Sequence, residues 1–394
     1  MATSRRTTDT SMVLDVPGCW SKPIKVDGNS CTQLLVAPQC CPIRTSGIGF
    51  ELRTAEGRCF PVIITRRGLP ADALAVKVDA IDLATLPPFV PRADVSWSGK
   101  REAAAAEAVL DSLIGAFHYL EAREDRPGLR VPQVGALHAV LGHWSTHPAE
   151  PATVVMPTGT GKTETMLALF AERRLPRLLV VVPSDALRKQ VAAKFATLGV
   201  LQTFGVIDAT ALRPIVGQID HRFSTPQSAV KFVEACNVVI TTPNALFPSR
   251  TPQISEALLR TCSHLFVDEA HHVEARTWRQ IRDAFDGKPV VQFTATPFRE
   301  DARRMAGRQV YRFPLRLAQE QNFFAEIEYR SVIDLVDQDR ALAVQALGRL
   351  RADVADDLDH VLMARVNTIG RAEESRSSMT SWRPTWHRSS CTAR

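Results

Sequence analysis

Five short apolar runs punctuate the middle of the chain, near 153–156, 178–182, 237–241, 264–267 and 290–294. Each is apolar and is followed by a polar turn, which predicts buried strands. Helical spacing fills the gaps. Met166, Leu167, Leu169 and Phe170 fall within Glu164–Arg173, and Ser184 offers an N-cap to a helix reaching Lys194. Strand and helix in alternation predict βαβ units and a parallel sheet.

The flanks read differently. Residues 1–12 are polar and predict disorder. Residues 13–97 predict a mostly-β N-terminal module, with Gly49–Arg53 and Cys59–Ile64 as a hairpin around Ala55–Arg58. Lys100–Glu124 places Val109, Leu110, Leu113, Ile114, Phe117 and Leu120 at helical spacing, so 98–127 predicts a helical connector. After residue 312 the pattern predicts a connector, a helix over Ala341–Asp357, a strand over His360–Val366 and a helix opening at Gly370.

Composition adds bounds. A chain of 394 residues with 45% hydrophobic content accommodates two or three domains. The net charge of +6 and a pI near 9.0 favour a polyanionic partner only mildly, and Arg44, Arg53, Arg58, Arg66 and Arg67 predict a solvated face. No apolar run is long enough to span a membrane, and Met1–Arg6 leads into no apolar core, so no membrane association and a cytoplasmic location are expected. Cysteines 19, 31, 40, 41 and 59 cluster early but contain no pair separated by two residues, which predicts reduced thiols rather than zinc ligands.

Chemistry is concentrated at two strand ends. Met156–Thr163 contains Pro157, Thr158, Gly159, Thr160, Gly161, Lys162 and Thr163 between a predicted strand and a predicted helix. Glycines there let backbone amides curl around phosphate oxygens at a helix N-terminus. Lys162 supplies a point charge for the β- and γ-phosphates, and the Thr163 hydroxyl is placed to ligate Mg²⁺. Met156 stands where the strict phosphate-loop pattern has its first glycine. The second group, Asp268, Glu269, Ala270 and His271, closes the run 264–267. Carboxylates at the C-terminal end of a parallel strand face the ligand crevice. Asp268 is the candidate Mg²⁺ partner and Glu269 the candidate that orients and deprotonates a water.

Asp268–His271 is similar to motif II of the DEAD/DEAH-box helicases of superfamily 2. Further segments resemble that family's set in order: Leu129–Gln133, Leu179–Ser184, Ile240–Pro243 and Phe293–Pro297. The continuation Phe298–Asp301 resembles the branch of restriction-enzyme helicase subunits. The resemblance implies an α/β fold: a RecA-like ATP-binding domain over 128–312, with ATP and Mg²⁺ as cofactors, followed over 313–374 by the start of a second such domain. It implies that Gln133 reads the adenine. Glu269, Lys162 and His271 would serve catalysis. Pro183, Ser184, Thr241, Thr242, Pro243, Thr294 and Thr296 would couple to a nucleic-acid backbone. DNA is the implied partner and RNA remains open.

Residues 375–394 carry Trp382 and Trp386, no acidic residue and no period, and are expected to be an aberrant or disordered tail, as after a truncation or frameshift. No segment of the form Gln-x-x-Gly-Arg-x-x-Arg follows residue 300. The family's second domain brings such an arginine to the γ-phosphate, a contribution of roughly 10³–10⁵ in turnover. The chain is therefore expected to bind ATP and hydrolyse it weakly unless a protein partner supplies that function. The alternative is a nucleotide-binding regulatory or assembly module with little hydrolysis.

Overall fold

A computed structural model describes residues 12–46, 49–64, 74–79, 86–246, 252–270, 280–281, 284–285, 287–296, 307–324, 329–363, 368 and 370. His271, Arg66, Arg67, residues 297–301 and the tail 375–394 lie outside the described residues. Two compact units divide at Phe324/Ala325.

The first unit begins with short strands β1 (Val13–Val16), β2 (Cys19–Trp20), β3 (Ile24–Val26), β4 (Asn29–Val36), β5 (Gln39–Ser46), β6 (Gly49–Arg53), β7 (Cys59–Ile64), β8 (Ala75–Val78), β9 (Phe89–Val90) and β10 (Val95–Ser98). Seven of these form one sheet in the order β10-β8-β7-β6-β5-β1-β9. Alternate residues point to its own core, among them Leu14, Val16, Leu52, Phe60, Val62, Val76 and Val78. The turn between β6 and β7 joins the hairpin that the sequence predicts.

Helix α1 (Ala106–Ser112) is all that forms of the helix predicted over Lys100–Glu124. Gly115 has φ +71°, and beyond it the chain runs extended, with bridges Phe117–Ile207 and Glu121–Leu129. The apolar spacing there serves packing rather than helix: Leu113 and Ala116 are buried in the main core, and Phe117 and Leu120 pack against it.

The rest of the unit alternates as expected: α2 (Val131–Thr146), β11 (Ala152–Val155), α3 (Lys162–Arg173), β12 (Leu178–Val181), α4 (Asp185–Thr197), β13 (Ile215–Gln218), α5 (Pro226–Glu234), β14 (Val238–Thr241), α6 (Pro243–Leu246), α7 (Pro252–Thr261), β15 (His264–Val267), β16 (Val290–Thr294), β17 (Arg308–Arg312) and α8 (Leu315–Glu320). Strands β17-β11-β16-β15-β12-β14-β13 are all parallel, in that order. Nearly every residue of the inner strands is buried, as a sheet covered on both faces requires. Two cores line its faces, one including Val154, Met166, Phe170, Phe195 and Phe266, the other Leu179, Val239, Leu258 and Val267.

Sequence pattern did not reveal that β4 adds antiparallel to the edge strand β13 of this sheet, with β2 and β3 beside it. The stretch read as an N-terminal module therefore contributes to both sheets. Buried amides secure the junction. Asn29 Oδ1 accepts from the amides of Asp220 (2.7 Å) and His221 (2.8 Å), and Gln33 Nε2 donates to the Arg213 carbonyl (2.7 Å). Arg213 also pairs with Glu56 at 2.9 Å, both side chains being 8% exposed. Residues 313–324, read as the start of a second α/β domain, belong to this first unit: the Phe313 amide bonds the Val155 carbonyl at 2.9 Å, and Phe313 and Ala318 are buried in its core.

In the second unit the described residues hold one long helix, α9 (Gln338–Ala355), capped by the Asp337 carboxylate on the Arg340 amide at 3.0 Å. Of the strand predicted over His360–Val366, the described residues 360–363 form none. Val361 and Met363 stand exposed, and no strand pairs with them among the described residues, so their backbone groups gain nothing from extension. Seven cysteines are described and none is in a disulfide; burial pushes the Cys19 and Cys41 thiols up to about 11. Among the described residues no helix is long and apolar enough to cross a membrane.

Candidate nucleotide and nucleic-acid site

All strands of the parallel sheet end at one edge, and the sequence-predicted residues within the described part gather there. β11 leads into the turn Met156–Gly161, and α3 starts at Lys162. Gly159 and Gly161 have φ of +85° and +95°, a region closed to most side chains. A Cβ at Gly161 would lie 1.9 Å from Gln133 Nε2, so the turn has no space there for a side chain. Thr160 is buried and its hydroxyl donates to the Pro157 carbonyl at 2.7 Å, closing the turn. Thr158 and Gly159 face solvent, and Thr163 is half-buried in the first turn of α3. The Met156 amide bonds the Thr294 carbonyl at 2.9 Å, tying this turn to the end of β16.

Two strands away, β15 ends in Asp268 and Glu269. The Asp268 amide bonds the Val181 carbonyl at 2.8 Å, which holds the carboxylate at the sheet edge. Burial, and next the neighbouring Glu269, raise the Asp268 carboxyl to about 6, with Lys162 pulling the other way. Glu269 takes φ +46°, an uncommon backbone for a residue with a side chain. That turn brings its carboxylate onto the Lys162 ammonium, which donates to Glu269 Oε1; the two side chains are 8% and 19% exposed.

Gln133 lies in the first turn of α2, buried, with its Oε1 accepting from the Arg130 amide at 2.8 Å. Three neighbours escaped the sequence reading. Arg130 reaches the Gly159 carbonyl at 3.4 Å and lies 5.4 Å from the centre of the Phe323 ring. Phe324 would meet a Cβ on Gly159 at 3.1 Å. Arg130 stands three residues before Gln133, a spacing that could have drawn notice. Phe323 and Phe324 lie far downstream and carried no signal.

The residues predicted to contact a nucleic-acid backbone share this sheet edge but differ in what they expose. Ser184 is exposed and caps α4, accepting from the Leu187 amide at 3.4 Å, and Pro183 before it is half-buried. Thr296 is exposed after β16. Pro243, half-buried, starts α6. Thr241, Thr242 and Thr294 are buried. Their groups shape strand ends: the Thr294 hydroxyl donates to the Thr296 carbonyl at 2.8 Å, and the Ala245 amide to the Thr242 carbonyl at 3.1 Å.

Fold and site define a mixed α/β domain built on a parallel sheet. Residues 126–299 match the family model of the type III restriction enzyme res subunit. No curated protein matches the chain. Among solved structures, the UvsW helicase from bacteriophage T4 is similar at TM-score 0.33 and 14% identity, over 48% of this chain and 59% of that one. A nuclease-deletion mutant of the type ISP restriction-modification enzyme LlaGI, in complex with a DNA substrate mimic, is similar at 0.38 and 15%, over 59% and 23%. The DUF1998 helicase MrfA is similar at 0.37 and 17%, over 71% and 41%. The chain spans less than two thirds of each of these proteins.

Proposed function

We propose that residues 128–312 are the RecA-like ATP- and magnesium-binding domain of a DNA helicase or translocase. The observation that carries this reading is the meeting of Lys162 and Glu269 across the sheet edge, beside a turn whose two glycines are in left-handed conformations. A lysine buried at a helix N-terminus, beside a glycine turn, suits a triphosphate. Two adjacent acids, one raised to about 6 by burial, suit a divalent cation. The residues therefore fit ATP with Mg²⁺.

In this reading Thr160, Gly161 and Lys162 hold the phosphates, while Thr163 and Asp268 hold the magnesium ion. Bound ATP supplies the γ-phosphoryl group, and magnesium neutralises charge on its oxygens. Lys162 leaves the Glu269 carboxylate for the phosphates, and that exchange gives Glu269 its task. Relieved of its ammonium partner, the carboxylate becomes a stronger acceptor for a proton from water. Gln133, fixed by the Arg130 amide, orients the base. His271, the last residue of the Asp268–His271 motif, serves catalysis with Glu269 and Lys162. Ser184, Pro183, Pro243 and Thr296 offer polar and backbone groups to a phosphodiester chain, with Thr241, Thr242 and Thr294 shaping the turns that present them.

Weak hydrolysis by these 394 residues is part of this reading, since no Gln-x-x-Gly-Arg-x-x-Arg segment follows residue 300; a protein partner bringing an arginine to the γ-phosphate would accelerate it. ATPase turnover measured with and without single-stranded and duplex DNA tests the reading. DNA-stimulated turnover that disappears in Lys162→Ala is expected. Intact ATP binding with turnover indifferent to DNA would favour a regulatory nucleotide-binding module instead.

A further inference from the structure

We propose that His143, His147 and Glu150 form a binding site for a divalent transition cation, zinc foremost, at the far end of α2 from the nucleotide site. His143 lies ten residues after Gln133, about 15 Å along the helix, so this is a separate location. His143 lies in the last turn of α2 and His147 is the residue that caps its C-terminus. Their rings stack at 5.8 Å with 16° between planes. One ligand atom from each of His143, His147 and Glu150 lies within 4.8 Å of the other two.

The chain around them is already closed. His143 Nε2 is 2.8 Å from the Glu150 carbonyl oxygen, and the Glu150 amide donates to the His147 carbonyl at 3.1 Å. His147 Nδ1 is 2.8 Å from the Thr146 hydroxyl. Such oxygen partners are what orient imidazole ligands. Zinc holds nitrogen at about 2.0–2.1 Å, so the three ligands must draw in slightly. His147 and Glu150 are exposed and can rotate to do so, while His143 is buried and stays in place. Two imidazoles and a carboxylate suit zinc and its neighbours and are poor for magnesium, which prefers oxygen alone. The negative end of the α2 dipole adds to the attraction for a cation.

The site would act as a staple. It closes the connection between α2, which carries Gln133, and β11, which leads into the phosphate-binding turn. A bound ion would hold the helix end and the strand start together and stabilise the folded chain.

Cobalt(II) and zinc(II) titrations of the full chain, stripped by chelator, test this. One equivalent of cobalt is expected to give visible d–d bands without the charge-transfer absorption of a thiolate ligand, and zinc is expected to raise the melting temperature. His147→Ala and Glu150→Gln, both at exposed positions, should each weaken binding by at least about tenfold, the lower bound for loss of even a supporting partner. His138→Ala, an exposed histidine on the same helix, should leave binding unchanged. No stoichiometric uptake, thiolate charge-transfer bands, or unaltered affinity in His147→Ala would each overturn the proposal.

Discussion

The Lys162 ammonium donates to the Glu269 carboxylate, joining the first residue of α3 to the end of β15 although 107 residues separate them in sequence. The pair draws the phosphate-binding turn and the acidic turn into one site. It also makes Glu269 the residue whose role is easiest to isolate.

Glu269→Gln keeps the shape and a polar contact for Lys162 but removes the proton acceptor. Turnover should fall by about 10²–10⁴, the usual worth of a general base. Binding of a fluorescent ATP analogue should persist. A variant that loses binding and turnover together would show that Glu269 organises the site instead of acting on water.

Asp268 sets a pH dependence. With its carboxyl raised to about 6, it is ionised above that pH and protonated below. A proton then competes with the divalent ion. Magnesium-dependent ATP affinity should therefore be flat above pH 6 and weaken as pH falls through about 6, while magnesium-free binding changes less. Since the folded pKa is raised, ionising Asp268 costs the metal-free protein stability between its ordinary pKa and 6. Melting temperature without magnesium should thus lose ground over that window. A titration of affinity showing its inflection near 4 would remove Asp268 as the titrating ligand.

Gly161→Ala tests the turn. The new Cβ would strike the Gln133 amide and force a side chain into φ +95°. The backbone strain alone is worth about 1–3 kcal/mol. Urea unfolding should show this loss, and ATP binding should disappear. Adding Gln133→Ala removes the clash but keeps the strained backbone, so stability should recover only in part. Full recovery would mean that the clash was the whole effect.

Arg213 and Glu56 test the join between the two sheets. Burial works to raise the Glu56 carboxyl, but hydrogen bonds, those from Gln39 and Arg213 among them, outweigh it and hold it down at about 2. A carboxylate depressed in the folded state stabilises above its unfolded pKa, and that stability is lost as pH falls from about 4.5 toward 2. Arg213→Ala leaves the buried carboxylate without its ion partner and should cost about 3–5 kcal/mol. Chemical denaturation at pH 7 and pH 3 measures both. An Arg213→Ala loss equally large at pH 3 and pH 7 would mean that the charge pair is not its cause.

Much of the parallel sheet was legible in the sequence, because its strands are buried on both faces and read as continuous apolar runs. Glycines beside a lysine and acids at a strand end were equally readable, since such chemistry needs those residue types at fixed local spacing. Lys100–Glu124 misled for a related reason: helical spacing marks a buried face, and an extended segment with a turn at Gly115 buries Leu113, Ala116, Phe117 and Leu120 as well.

What the sequence by itself determined is local: strand runs, the phosphate-binding turn and the acidic pair, each encoded within about ten residues. Tertiary structure alone decided which distant pieces meet. It placed β4 on β13, Arg130 on Gly159, Phe324 over the same glycine, and the Lys162 ammonium on the Glu269 carboxylate. The physical reason is that strand pairing and side-chain contact depend on shape and edge complementarity across the fold, to which local hydrophobic period and turn chemistry carry no reference.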